Sequence, residues 1–161
     1  MSLKRRLSDW LSGGRTSKLQ VEAVENPPDD ACAAVRRGLV EYNEQFTGKV
    51  PQTPVGVFVR DEAGRVRGGA TGYLGWGWLY TERIWVEESL RSKGIGSKIM
   101  AHLERLALTQ GIYRFQTATT SFQALEFFEK NGYEVFATLK DYPPGHTDYS
   151  LKKVIDLTGG S

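Results

Sequence analysis

The chain is poor in the residues that make redox and metal chemistry easy. Its 161 residues include one cysteine, Cys32, and two histidines, His102 and His146. A single cysteine excludes an internal disulfide and a multi-cysteine metal site. Two histidines far apart in sequence give no ligand spacing, so no metal is expected. Charge of one sign is scarce as well. The net charge of +2, from 21 basic and 19 acidic residues, is too small to make nucleic acid the main partner. No apolar run is long enough to span a bilayer. Basic residues open the chain, but no apolar block follows them as a secretory signal requires. These absences point to a reducing, cytoplasmic setting. What remains is ordinary: 40% apolar and 25% charged residues, in a length that suits one hydrophobic core and not two.

The charge is unevenly spread. Residues 1–18 carry Lys4, Arg5, Arg6, Arg15 and Lys18 against Asp9 alone, which is +4 and leaves about −2 for the rest. Leu3, Leu7, Trp10 and Leu11 lie about one helical turn apart before Ser12-Gly13-Gly14. This reads as a basic N-terminal extension with helical character, either a solvated terminus or a docking helix for a partner chain or an anionic surface. A folded domain is expected over residues 19–154, with 155–161 as a flexible tail.

Within that domain, Leu19 to Val24 alternates apolar and polar residues as a half-buried strand does. A helix follows Pro27-Pro28, with Asp29 as its cap and Val35, Leu39, Tyr42 and Phe46 in one stripe. Strands are expected over Pro54–Arg60, Val66–Tyr73 and Trp78–Val86, joined by turns at Asp61–Gly64 and Gly75–Gly77. The period then changes from two to nearly four. Ile95, Ile99, Leu103 and Leu106 line a helix that stops at Gly111. A strand from Tyr113, a helix over about Phe122–Lys130 and strands over Tyr133–Asp141 and His146–Val154 complete the order. That order predicts an α/β (α+β) mixed sheet with helices on both faces. Cys32 is expected in packing, and His102 on the solvent side of its helix without a role.

The chemistry lies in Ile84–Met100. A strand leads into the basic loop Arg91-Ser92-Lys93-Gly94-Ile95-Gly96-Ser97, which opens directly into a helix. The first turn of a helix leaves backbone N–H groups unpaired at the positive end of the dipole. Such an end suits phosphate. Gly94 and Gly96 give backbone access, and Arg91, Lys93 and Lys98 add charge. The nucleoside-triphosphate pattern G-x-x-x-x-G-K-[ST] is absent. So is the dinucleotide pattern G-x-G-x-x-G, because Ile99 stands at its third glycine.

Arg91-Ser-Lys-Gly94-Ile-Gly96 resembles the Q/R-x-x-G-x-G/A signature of the GNAT superfamily of N-acetyltransferases, and Phe127 to Phe136 is similar to that family's late helix-turn-strand segment. The resemblance covers roughly Leu19 to Val154. It implies a mostly antiparallel sheet of six to seven strands with a splay between the fourth and fifth. It implies acetyl-CoA as cosubstrate, its pyrophosphate on the amides of about Ser92 to Ser97. Its pantetheine arm would run along Ile84 and Val86, with Ser121 and Phe128 also at the cofactor. The acceptor would be an amine on a small molecule or a protein. Dimerisation is common in such proteins, though no residue here demands it.

For acyl transfer, Glu82 is the candidate base. It stands two residues before Ile84 and four before Val86, which regular alternation puts on one face. A backbone N–H at or near Val86 is the implied oxyanion donor. Relatives place a tyrosine acid four residues after an alanine on the late helix; here Ala124 is followed by Phe128, which has no proton to give. Tyr133 and Tyr142 are the alternative hydroxyls, or the thiolate leaves unaided, with a pKa of about 8.5 on the cysteine scale. Tyr42, Trp76, Trp78, Tyr80 and His146 are the acceptor-site candidates, since aromatic density suits planar or cationic ligands. The competing readings are a non-catalytic acyl-CoA-binding or sensor module, motivated by Phe128, and a protein-interaction platform recruited through residues 1–18.

Overall fold

The computed structural model describes residues 19–156. The basic extension over 1–18, and all of the expected tail but Ile155 and Asp156, lie outside the described residues. The chain divides after Gly48 into two compact units, which are taken in turn.

In the first unit, Leu19–Val24 forms no strand. Alternation supplies a face but not the neighbouring backbone that a strand must bond to. Helix α1 (Asp29–Thr47) follows Pro28, with Asp29 and Asp30 placing negative charge at the positive end of the dipole. It ends at Gly48 (φ 67°), whose N–H donates to Glu44 O at 3.0 Å. Tyr42 and Phe46, one turn apart, bring their rings to 5.2 Å. Cys32, expected in packing, is exposed instead.

The second unit holds a mixed sheet. Its strands are β1 (Thr53–Arg60), β2 (Val66–Gly75), β3 (Trp78–Val86), β4 (Arg114–Thr120), β5 (Glu134–Lys140) and β6 (Thr147–Val154), with helices α2 (Ile95–Thr109) and α3 (Leu125–Lys130) between them. The spatial order is β1-β2-β3-β4-β6-β5, and every neighbouring pair is antiparallel except β3 with β4. The tight turns behave as their residues dictate. Asp61 accepts from the N–H groups of Ala63 and Arg65 and closes the first hairpin. Trp76 (φ 49°) and Gly77 (φ 76°) make a two-residue turn whose twist matches the strands.

Directly paired residues share a face, so register locates the core. Val57 opposes Ala70, which opposes Ile84; Leu79 lies beside Phe115, and Thr117 opposes Leu151. Leu79, Phe115 and Leu151 have no exposure at all. Onto this face α2 lays Ile99, Met100, Leu103 and Ala107, packing over β1, β2 and β3. Phe128 of α3 joins the same cluster. Burying the apolar face of one such helix contributes roughly 1.5–3 kcal/mol per large side chain. One charged group is taken inside. Glu104 of α2 accepts from the Tyr133 hydroxyl at 3.0 Å and from Lys153 Nζ at 2.7 Å. The cluster ties α2 to the start of β5 and to β6.

Helix α3 starts three residues later than its composition predicts. The reason is side-chain capping ahead of it: Gln123 Oε1 accepts from the Thr120 N–H, and the Ala124 N–H donates to Thr119 Oγ1. These bonds hold residues 120–124 in a loop.

Candidate active site

Strand β3 changes parity in its middle. Leu79 and Thr81 point into the core, yet so do Ile84 and Val86, while Glu82 and Arg83 are both exposed. Two consecutive outward residues mean a β-bulge, and the pairing shows it: Gly72 opposes Thr81 and Thr71 opposes Arg83, so Glu82 is the extra residue. The bulge needs Gly72. A Cβ there would lie 2.0 Å from Tyr80 O and 3.0 Å from Thr81 Cα. The expectation that Glu82 shares a face with Ile84 and Val86 is therefore corrected, because the inserted residue shifts the alternation by one.

The same strand loses its neighbour. Pairing between β3 and β4 covers only Leu79–Thr81 with Phe115–Thr117; beyond that the two parallel strands part. The Glu87 N–H donates to Arg67 O on β2 at 2.9 Å. Alternation then turns the backbone groups of Val86 and Ile84 the other way, into the gap. At the vertex, Thr117 Oγ1 donates to Thr81 O at 3.0 Å, a side chain standing in for a lost ladder bond.

After β3, a single 3-10 turn (Glu88–Leu90) leads to Ser92 (φ 58°) and Gly94 (φ 75°). The first backbone bond of α2 runs from the Lys98 N–H to Gly94 O at 3.1 Å. The N–H groups of Ile95, Gly96 and Ser97 are thus left without an intrahelical acceptor. Two of the basic side chains brace the loop. Arg91 Nε donates to Val86 O at 3.0 Å, and Lys93 Nζ to Ser89 O at 2.9 Å. Strand, loop and helix start enclose a cavity of about 420 Å³, lined by Ile84, Val86, Arg91, Ser92 and Gly94–Ser97, with Trp85, Ala124 and Phe127. The two glycines differ in task. Gly94 supplies a left-handed backbone with nothing near it, whereas a Cβ on Gly96 would meet the Phe127 ring at 3.0 Å.

Sequence reading missed Phe127 and Ala124. The two adjacent phenylalanines of α3 point apart: Phe127 walls the cavity, while Phe128 is buried, edge-on to Phe127 and Tyr133. Phe128 is thus a core residue and not part of the cavity wall. Ser121 is absent from the lining too; its hydroxyl lies 3.2 Å from His146 Nδ1 and accepts from the Thr147 N–H.

The catalytic candidates are scattered. Glu82 is exposed, with Arg83 Nη1 at 3.9 Å. Tyr133 is 3% exposed and its hydroxyl is committed to Glu104. Burial, then the Glu104 charge, pushes that phenol far above its usual pKa. It lies in the core beside Glu104 and not in the cavity lining, which corrects its place among the hydroxyls near the reacting atoms. Tyr142 is exposed on the β5–β6 turn. His146 shares that turn and meets the Phe122 ring at 4.8 Å. Tyr42 lies in the first unit. Trp76, Trp78 and Tyr80 do come together, with Gln52, Tyr73, Gly75 and Gln116, around a second cavity of about 270 Å³. Burial raises the Tyr80 pKa, and the neighbouring Tyr73 and the carboxylates of Glu82 and Asp148 add to the rise. Among the described residues, no group of three metal-ligating side chains converges, and no helix is long and apolar enough to cross a membrane.

Residues 21–133 match the Acetyltransferase (GNAT) family. The blasticidin-S acetyltransferase of Streptomyces morookaense is 38% identical over 93 residues, 57% of this chain and 68% of that one. Acetyltransferase Atu2258 of Agrobacterium fabrum is 29% identical over 124 residues, 77% of this chain and 90% of that one. Among solved structures, an acetyltransferase from Bacillus cereus superposes with a TM-score of 0.75 at 29% identity, over 83% of this chain and 98% of that one. The likeness holds in sequence and in fold, and the chain belongs to the GNAT family of acetyltransferases.

Proposed function

We propose that the enzyme moves an acetyl group from acetyl-CoA to a primary amine by direct attack within a ternary complex. The observation that carries this is the cavity where β3 parts from β4. Its unpaired amides at Ile95–Ser97 suit a pyrophosphate, and its strand edge at Ile84 and Val86, which β4 leaves unpaired, suits the amide-rich pantetheine arm. The residues present fit that ligand.

The acceptor nitrogen attacks the thioester carbonyl carbon. The carbon–sulfur bond breaks, and the thiolate leaves with the electron pair. The proton lost by nitrogen goes to Glu82, directly or through water. The Val86 N–H, turned into the gap, is the oxyanion donor. With Tyr133 sealed in the core and Phe128 lacking a proton, the thiolate departs unprotonated; a thiol pKa of about 8.5 permits this. No serine or cysteine with a base beside it lines the cavity, which supports direct attack over a covalent intermediate.

Thiol release from acetyl-CoA, measured across an amine panel that includes blasticidin S, the acceptor named for one relative, tests the reading. Acceptor-dependent release is expected. Glu82→Gln should lower kcat by about 10²–10⁴-fold with acetyl-CoA affinity unchanged. Saturable acetyl-CoA binding without acceptor-dependent thiol release would instead favour a sensor module. Equal turnover by the Glu82→Gln variant across the pH range would remove Glu82 from the chemistry.

A further inference from the structure

The second cavity lies on the sheet face opposite the core. Register puts Tyr73 and Tyr80 opposite one another, with their rings stacked at 5.3 Å and 28°. Trp78 stands two residues along the same face. Its cross-strand partner is Gly75, and the missing side chain there makes the space: a Cβ on Gly75 would meet Gln52 Cγ at 3.3 Å and the Tyr73 ring at 3.6 Å. The walls are thus aromatic, with Gln52 and Gln116 as polar groups at the edge. At about 270 Å³ the hollow is smaller than a whole drug-sized site and suits one flat ring system.

Negative charge lies farther along the same face. Tyr80 is followed two residues later by Glu82, about 7 Å along the strand. Asp148 of β6, opposite Thr120, reaches the Tyr80 hydroxyl electrostatically, as Glu82 does. Asp148 forms no ion pair among the described residues, and Glu82 has only the loose contact with Arg83. A hollow of stacked rings with two carboxylates farther along the same sheet face is complementary to a molecule with a flat ring at one end and an ammonium group at the other.

We propose that this cavity, walled by Tyr73, Trp78 and Tyr80 and completed by Gly75, selects acceptors whose primary amine is carried on a short arm from a planar ring, with Asp148 and Glu82 receiving the amine. This rests on the amine-transfer reading above and names its acceptor class. Asp148 anchors the ammonium form and Glu82 takes the proton.

The test separates the two readings. Tryptamine and hexylamine, similar in basicity but not in shape, are titrated calorimetrically into the protein saturated with coenzyme A, so that no turnover occurs. Tryptamine is expected to bind about tenfold tighter, the factor that one good ring contact supplies. Trp78→Ala should abolish the difference. Gly75→Leu, which fills the hollow from the neighbouring strand, should exclude tryptamine and spare hexylamine; whichever variant folds decides. Equal affinities in the native protein, or a tryptamine preference that survives in both variants, would overturn the assignment. Ring-dependent binding without thiol release from acetyl-CoA would overturn the transferase reading and leave the cavity assignment standing. Thiol release from both amines at equal kcat/KM would overturn the cavity assignment alone.

Discussion

Replacing Gly72 by alanine should damage this protein more than any other single methyl added to β2. The new Cβ would sit 2.0 Å from Tyr80 O, inside the 3.0 Å that Cβ atoms respect. The neighbours it meets are backbone, the carbonyl of Tyr80 and the Cα of Thr81, so no rotamer change relieves it. The strands must separate by about 1 Å, at the bulge itself. Overpacking of this kind costs about 3 kcal/mol, at the upper end of its range, because nothing flexible can give way. For a domain of this size that is a fall in Tm of roughly 6–12 °C. Urea unfolding followed by far-UV circular dichroism reads it directly, with an unchanged m-value showing that only stability moved. Gly75→Ala, three residues along, is the control. Its Cβ meets only side-chain atoms, Gln52 Cγ and the Tyr73 ring, at 3.3 Å or more, and it should leave stability within about 0.5 kcal/mol of native. A Gly72→Ala protein with native stability would mean that β3 carries no bulge at Glu82, and the geometry assigned to that carboxylate would fail with it.

Thr117→Val should cost about 1–3 kcal/mol, because Thr81 O loses its donor at a buried site; Thr117→Ser should restore most of it. Tyr133 has a folded-state pKa raised above its unfolded value of about 10. The native state therefore holds that proton more tightly, so its contribution is complete below pH 10 and drains away as pH rises beyond. Alkaline titration of stability should fall less steeply in Tyr133→Phe. Arg91→Met removes the donor to Val86 O and should weaken acetyl-CoA and acetyl-pantetheine alike. Loss for acetyl-CoA alone would make Arg91 only a phosphate ligand.

What was legible in the sequence is what is decided locally. Trp78–Val86 reads as a strand because β-branched and aromatic residues crowd it. The turns at Asp61 and Gly77 follow from carboxylate bonding and positive φ. The loop before Ile95 follows from two glycines between a strand and an amphipathic helix. What escaped is set by partners. Leu19–Val24 alternates as a strand should, but alternation does not show whether another backbone is at hand. The bulge at Glu82 is invisible in β3, since any single residue there leaves plausible alternation on both sides. Its trace is Gly72 on the opposite strand. Phe127 and Phe128 are chemically identical neighbours, and only the tertiary placement of α3 sends one to the cavity and the other to the core. Tyr133 looks reactive in sequence, and burial beside Glu104 removes it.

The open edge of β3 and the loop after it are unequal in polarity, and this bears on what they bind. Along this stretch several acceptors are bonded from within the chain. Thr81 O takes Thr117, Val86 O takes Arg91, Ser89 O takes Lys93, and the carbonyls of Glu87, Glu88 and Gly94 take the N–H groups of Leu90, Arg91 and Lys98. The donors are not so occupied: the amides of Ile95, Gly96 and Ser97 begin a helix with nothing behind them. A helix start with free N–H groups favours a ligand rich in acceptors, such as phosphate oxygens, over a polyamine or any other donor-rich molecule. On the far face the polarity is opposite, since rings and the carboxylates of Glu82 and Asp148 favour a cation. The bulge is where the side-chain alternation of β3 shifts by one residue. In the proposed reaction a one-residue insertion would let a single strand turn its backbone to an anionic ligand and a carboxylate to an amine, without a loop or a second domain between them.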